Sequence, residues 1–103
     1  MEGRKDDADK LRFELLVPNF IAEMAKVLTL GAKKYSDNSW QNVPNAKQRY
    51  IGAMLRHANE LQQNHEMDFE WPDSEVTYHA AQVAVNAMFI HWLNQNHTDE
   101  VKI

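Results

Sequence analysis

The sequence contains no cysteine, and this absence limits the chemistry open to the protein. Disulfides, thiolate metal ligands and cysteine nucleophiles are all excluded. The sequence also contains no glycine-rich phosphate loop and no G-x-S-x-G nucleophile elbow. Any metal site must therefore use carboxylates, histidines or carbonyl oxygens as its ligands.

Long apolar runs and an excess of positive charge are absent as well. The longest apolar run falls well short of the roughly 20 residues that span a bilayer, and the charged N-terminal stretch contains no signal-peptide core. We therefore expect a cytoplasmic protein with no membrane partner. The formal net charge of −4 argues against a nucleic-acid polymer as partner, although local basic sites for phosphates remain compatible with it.

The 103 residues are enough for one domain with one hydrophobic core. At this size the buried fraction is modest, so that oligomerisation would add stability. We expect a single all-α domain over residues 1–103, with a charged arm at 1–12 and a polar tail at 94–103. The arm is either a solvated segment or a segment that folds over a polyanionic ligand or a neighbouring subunit.

Apolar residues at helical spacing predict three main helices, and no strand pattern is visible. The first is expected from about residue 20 to 34 after an Asn19 cap, and the second from about 46 to 63 after an Asn45 cap. The third is expected over 73–93 with Asp73 as its cap. The fold class predicted is therefore all-α, a small bundle of about three main helices that homo-oligomerisation completes.

The third predicted helix carries polar residues in a sequence that is otherwise apolar. Glu75, His79, Gln82 and Asn86 follow one another at i, i+4, i+7 and i+11, which places them on one helical face. An unsatisfied buried polar group costs about 1–3 kcal/mol, so this stripe needs partners. It is either a satisfied structural network or one wall of a ligand site, and the second helix offers His57 and Glu60 as partners.

Two lysines and two aromatic residues lie close together at the end of the first predicted helix and in the loop after it: Lys33, Lys34, Tyr35 and Trp40. An aromatic ring can stack on a base and lysines can hold its phosphates. The alternative is a lysine-rich helix end that complements the helix dipole, with Trp40 covering the core. The connection after the second helix is acidic, and it adds Phe69 and Trp71 as groups able to close a site.

Four blocks of the sequence resemble a known family: GRKDDADKLRFELLVP, AKVLTLGAKKYSDNSW, LRHANELQ and HAAQVAVNAMF. The family is that of the mostly phage-encoded MazZ-like dATP/dGTP diphosphohydrolases, which are related to the all-α MazG-type nucleoside triphosphate pyrophosphohydrolases. The resemblance extends from Gly3 to about Leu93. The sequence departs from the family pattern at Gln82, where a second histidine is usual, at Ser36, and at Asn64-His65, where glycines are usual.

This resemblance implies an all-α fold that usually forms a homo-oligomer, a dimer or a tetramer. It implies hydrolysis of a purine deoxynucleoside triphosphate to the monophosphate and pyrophosphate, with Mg²⁺ or Mn²⁺ as cofactor. A phage-encoded protein would act in the host cytoplasm. In MazG-type enzymes acidic pairs on adjacent helices hold the metal ions.

On this interpretation the candidate residues fall into three groups. The metal ligands expected are Glu23, Glu60, Glu75 and His79. The catalytic residues expected are His57, Glu60 and His79. The substrate-binding residues expected are Lys33, Lys34 and Arg56 for phosphates, Tyr35, Trp40 or Trp71 for the base, and Asn86 for a base or ribose edge. For Glu23 the alternative is a surface carboxylate paired with Lys26.

Three functions compete at this point. The first is the metal-dependent pyrophosphohydrolase acting on purine deoxynucleotides. The second is a non-catalytic nucleotide-binding protein, which a phage could use as a sponge for a nucleotide signal, and the departure at Gln82 keeps this alternative open. The third is a small helical assembly protein in which the polar stripe only sets the register between subunits.

Overall fold

The computed structural model describes residues 8–96, without the side chain of Asp73. Its main elements are three α-helices, which we number α1 (Pro18–Lys34), α2 (Ala46–Gln62) and α3 (His79–Asn96). Two short strands, β1 (Met67–Asp68) and β2 (Thr77–Tyr78), and three 3-10 turns (Phe13–Leu15, Ser39–Asn42 and Pro72–Ser74) complete the described part. The predicted mostly helical fold with three main helices is confirmed.

Helix α1 begins at Pro18, with Val17 as its N-cap. Proline fits the first helical position because the N–H that it lacks would have no partner inside the helix. The prediction that Asn19 caps this helix is therefore wrong. At the other end the Tyr35 N–H donates to the Gly31 carbonyl oxygen at 2.9 Å, which closes the last turn.

Helix α2 begins where the sequence predicts, after Asn45, and ends at Gln62. The Asn45 side chain makes no capping hydrogen bond; its backbone adopts the left-handed conformation with φ 57° and ψ 37°. Asparagine is one of the few residues that tolerate this conformation readily. Asn45 thus marks the helix start through its backbone and not through its side chain.

Helix α3 begins at His79, so the prediction of a helix from residue 73 is wrong. Thr77 and Tyr78 instead form β2, which pairs antiparallel with β1 so that Asp68 lies opposite Thr77. The His79 N–H continues this pairing by donating to the Glu66 carbonyl oxygen at 2.9 Å. β-branched and aromatic residues favour strands, and the acidic connection supplies the partner strand that the sequence alone did not reveal.

The hydrophobic core lies between α1 and α3. Val27 of α1 packs with Ala81 and Val85 of α3, which are 0% and 1% exposed. Four larger, partly buried side chains surround these residues: Phe20, Met24, Leu28 and Phe89. Because Ala81 is small, the two helices can approach closely at this point, while α2 packs along the other side of α3.

An aromatic cluster joins the loop after α1 to α2 and α3. Trp40 stacks on Phe89 with ring centroids 4.3 Å apart and meets Trp92 edge-on at 5.1 Å. The Tyr50 hydroxyl donates to the Trp40 carbonyl oxygen at 2.8 Å, and burial raises the pKa of Tyr50. Trp40 therefore covers the core, as one of the two sequence interpretations predicts.

Much apolar surface remains exposed on the described part of the chain. The segment before α1 exposes five large apolar side chains: Leu11, Phe13, Leu15, Leu16 and Val17. The radius of gyration of 17.2 Å exceeds the value of about 13 Å typical of a compact domain of this size. Homo-oligomerisation would cover such surface, and it stays a prediction.

Two further expectations concern the ends of the chain and the membrane. Residues 94–96 of the predicted polar tail form the last turn of α3, whereas 1–7 of the charged arm and 97–103 of the tail lie outside the described residues. Within residues 8–96, no helix has both the length and the apolar character needed to cross a bilayer. The single-domain organisation stays a prediction.

Candidate functional site

Two histidines from different helices meet at the start of α3. The Nδ1 atoms of His57, on α2, and His79, the first residue of α3, lie 2.8 Å apart. One nitrogen donates and the other accepts when a proton lies between them, and the tautomers of the two rings decide which. His79 is 7% exposed. Burial, and next the adjacent His79, lower the pKa of His57, which favours its neutral form.

Asp68 of β1 joins these two histidines. One ligand atom from each of His57, Asp68 and His79 lies within 4.8 Å of the others. The backbone N–H of Glu70 donates to Asp68 Oδ1 at 3.0 Å, which helps to orient the carboxylate. We call these three residues the His57 cluster. The β1–β2 pair builds it, because the strand register sets Asp68 opposite Thr77, two residues before His79.

Glu60 lies beside the His57 cluster, one helical turn after His57. Its Oε1 atom is 2.8 Å from His65 Nδ1 and 4.0 Å from His79 Nε2. The hydrogen bond with His65 is the main cause that lowers the pKa of Glu60 and keeps it a carboxylate. His65 reaches Glu60 because Asn64 adopts a left-handed conformation with φ 66° and turns the chain back.

Two adjacent cavities open on this region. The smaller has a volume of about 670 Å³ and contains the His57 cluster together with Glu60, His65 and further acidic residues of the connection. The larger, about 1240 Å³, lies between the end of α1, the 3-10 turn at Ser39–Asn42, α2 and the middle of α3. Arg56 and His57 line both cavities. The larger cavity has room for a nucleotide.

The structure brings some predicted substrate-binding residues to the larger cavity and leaves others outside it. Its lining includes Tyr35, Trp40, Arg56, Trp71 and Asn86. Lys33 and Lys34 line neither cavity and are exposed. Lys34 Nζ lies 5.2 Å from the centre of the Tyr35 ring, a cation–π contact.

Two of the predicted metal ligands lie apart from the His57 cluster. Glu23 and Glu75 line neither cavity. Glu75 precedes α3 and does not continue its polar stripe; its Oε1 atom pairs with Lys26 Nζ at 3.5 Å. Lys26 thus contacts Glu75, whereas the sequence alternative paired it with Glu23.

The other three residues of the polar stripe, His79, Gln82 and Asn86, share one face of α3. Gln82 Nε2 lies 3.2 Å from Thr77 Oγ1, and Asn86 Nδ2 donates to the Gln82 carbonyl oxygen at 2.9 Å. Both amide side chains line the larger cavity. The stripe therefore combines internal hydrogen bonds with a cavity wall.

Two residues of this region, Asp68 and His65, have no individual role in the sequence-based interpretation, although the acidic residues Glu66, Asp68 and Glu70 are expected near the site. Asp68 stood in an acidic stretch among several carboxylates, and only the strand register distinguishes it from them. His65 stood beside Asn64 at a departure from the family pattern, and the left-handed Asn64 accounts for its position. An asparagine directly after a predicted helix is the one sequence signal that could have indicated this turn.

Comparisons with known proteins agree with the family resemblance. Residues 1–102 match the family described as dATP/dGTP diphosphohydrolase, N-terminal. A dATP/dGTP diphosphohydrolase of Salmonella phage PMBT28 is 36% identical over 96 residues, which make up 93% of this chain and 31% of that relative. The chain therefore spans about a third of the relative's length, and no solved structure matches significantly. The chain belongs to the family of dATP/dGTP diphosphohydrolase N-terminal domains.

Proposed function

We propose that this chain is a metal-dependent pyrophosphohydrolase that converts a purine deoxynucleoside triphosphate to the monophosphate and pyrophosphate. The observation that carries the proposal is the position of the His57 cluster beside a nucleotide-sized cavity lined by aromatic and amide side chains. The name of the phage relative gives the purine substrates, dATP and dGTP.

The two histidine nitrogens of the His57 cluster are spaced as neighbouring ligands of one divalent cation, and the Asp68 carboxylate lies within 4.8 Å of them. Two ligand atoms about 2.1 Å from one octahedral ion, at right angles, are about 3.0 Å apart, and the two Nδ1 atoms are 2.8 Å apart. The lowered pKa of His57 favours the neutral ring that a metal requires. Two imidazoles with one carboxylate suit Mn²⁺ better than Mg²⁺, which prefers oxygen ligands.

In the proposed reaction, Arg56 binds phosphate and Glu60 acts as the general base. A bound ion would neutralise charge that develops on the phosphate oxygens. Arg56, which lines both cavities, is placed to bind phosphate oxygens with its guanidinium group. A water oxygen attacks the α-phosphorus, the bond from that phosphorus to the bridging oxygen breaks, and pyrophosphate leaves with the electron pair. The Glu60 carboxylate accepts the proton of the water.

One experiment tests this proposal directly. The purified chain is incubated with each of the four deoxynucleoside triphosphates and either Mg²⁺ or Mn²⁺, and pyrophosphate release and nucleotide binding are followed together. We expect release from dATP and dGTP, faster with Mn²⁺, and a loss of about 100-fold or more in His57→Ala. His91→Ala is the matched control, because His91 is an exposed histidine of α3 that lines neither cavity. Unchanged release in His57→Ala would overturn the proposal.

A second candidate function is nucleotide binding without hydrolysis. It is favoured by one observation: Glu23 and Glu75 stand apart from the His57 cluster, which therefore contains one carboxylate and not a pair of acidic groups. Tight binding of dATP or dGTP with no pyrophosphate released in the same assay would select this alternative.

A further inference from the structure

Two amide side chains are buried in the wall of the larger cavity. Gln82 and Asn86, one turn apart on α3, are 7% and 5% exposed. Asn86 Nδ2 donates to the Gln82 carbonyl oxygen at 2.9 Å. A backbone carbonyl can only accept, so this bond fixes which end of the Asn86 amide carries the oxygen. Within residues 8–96, no group donates a hydrogen bond to Asn86 Oδ1, which is left as an acceptor for a ligand.

The orientation of the Gln82 amide is set differently. Thr77 Oγ1 accepts a hydrogen bond from Trp71 Nε1 at 2.9 Å and lies 3.2 Å from the Gln82 amide. The indole N–H is only a donor, so Oγ1 must accept there, and it keeps one lone pair and one proton for Gln82. Thr77 can therefore accept from Nε2 or donate to Oε1. Gln82 can turn either its oxygen or its nitrogen to the cavity without losing its bond to Thr77.

We propose that Asn86 and Gln82 read the edge of a purine base, with Asn86 as a fixed acceptor and Gln82 as a reversible donor or acceptor. Adenine presents its amino group and then the acceptor N1. Guanine has the acceptor O6 where adenine has its amino group, so it lies one ring position further along the site, where it presents N1–H and then its amino group. The first group is a donor in both bases and suits Asn86 Oδ1. The second is an acceptor in adenine and a donor in guanine, and Gln82 matches each by rotating its amide.

This inference rests on the proposed nucleotide ligand, and it explains how one site accepts both purines.

The test of this inference is the binding of nucleoside monophosphates without metal, which does not depend on hydrolysis. The probes are dAMP, dGMP and the monophosphate of deoxynebularine, a purine nucleoside whose base carries no N–H donor. We expect the wild-type chain to bind the first two about 10-fold more tightly than the third, because a buried acceptor then stays unpaired.

Two variants separate base reading from a structural role. Asn86→Leu keeps the volume and removes the acceptor, and we expect the preference over deoxynebularine monophosphate to disappear. Gln82→Glu, measured at pH 8, keeps only acceptors at this position, and we expect the ratio of dGMP to dAMP affinity to rise about 10-fold. A change in base preference cannot come from simple loss of packing, and circular dichroism checks that each variant folds.

Asn96→Leu is the matched control. Asn96 Nδ2 donates to the Trp92 carbonyl oxygen at 2.9 Å, the same bond that Asn86 makes, but Asn96 is exposed and lines neither cavity. We expect its base preference to equal that of the wild type. Equal binding of all three probes to the wild type, or an unchanged preference in Asn86→Leu, would overturn this inference alone. No binding of any probe would overturn this inference as well, whereas pyrophosphate release decides hydrolysis separately: base preference without pyrophosphate release overturns only catalysis.

Discussion

The two cavities differ in how the chain builds them. The smaller is made where the second half of α2 meets short or irregular segments: the turn after α2, the strand β1 and the first residue of α3. The larger is lined mainly by side chains on the faces of regular helices and by the segment between α1 and α2 that contains Trp40. Histidines and carboxylates dominate the lining of the smaller cavity, whereas the larger one adds aromatic rings and the Gln82 and Asn86 amides to fewer charged groups. On the proposed function, chemistry and recognition therefore fall to two neighbouring parts of the site, which share Arg56 and His57.

The largest effect that would test this division comes from Asp68→Asn. The substitution keeps the shape of the side chain but removes the charge that would bind a cation in the proposed site, so we expect hydrolysis to fall by about 10²–10³-fold. Binding of dAMP to the larger cavity should stay within about twofold of the wild type. Pyrophosphate release and equilibrium binding measure the two effects on the same sample.

Glu14→Gln provides the control for this variant, because Glu14 is an exposed carboxylate that pairs with Arg12 and lines neither cavity. Its hydrolysis and binding should match the wild type. If Asp68→Asn weakened dAMP binding as much as it slowed hydrolysis, the two cavities would act as one unit and the division would fail.

A smaller effect is expected from Thr77→Val, which acts on a strand residue that contacts Asp68 of the smaller cavity and Gln82 of the larger one. The Thr77 backbone pairs with Asp68, whereas its side chain, 0% exposed, contacts Trp71 and Gln82. Valine keeps the strand but leaves the half-buried Trp71 indole N–H and the buried Gln82 amide without their partner, so we expect a loss of about 1–3 kcal/mol in the free energy of unfolding. Urea unfolding measures this loss.

Thr29→Val is the comparison for stability, because Thr29 is exposed and its hydroxyl donates only to the Ala25 carbonyl oxygen of its own helix. We expect a change within about 0.5 kcal/mol. A folded Thr77→Val protein should keep its rate of hydrolysis at saturating substrate. A stability equal to that of the wild type would show that Thr77 Oγ1 does not support the larger cavity.

The sequence predicts the residues on regular helices better than those on short or irregular segments. Helical spacing predicted the three main helices, and it placed His79, Gln82 and Asn86 on one face because a helix repeats every 3.6 residues. It also extended that face back to Glu75, since nothing in the spacing shows that Thr77 and Tyr78 leave the helix. Two residues are too short for a visible alternation, and the pairing with β1 depends on contacts distant along the chain.

The smallest effect expected is a pH dependence of the stability of the metal-free protein, caused by His57. Burial lowers the pKa of His57 in the folded chain below the 6.5 of an unperturbed histidine. Below that unperturbed value the unfolded chain binds more protons at this position than the folded chain does. The contribution of His57 to stability is therefore complete above pH 6.5 and is lost as the pH falls from 6.5 towards the folded pKa.

We therefore expect the midpoint of thermal unfolding in EDTA to decrease as the pH is lowered from 7 to 5, and His57→Asn to reduce this decrease. Glu60 has a lowered pKa as well, but its contribution is lost only near and below its ordinary value of 4.5, outside this range. The exposed His91 again serves for comparison, because His91→Asn should keep the wild-type slope. Equal slopes in both variants would mean that burial does not hinder the protonation of His57. The small cavity would then lack the electrostatic character that separates it from the larger one.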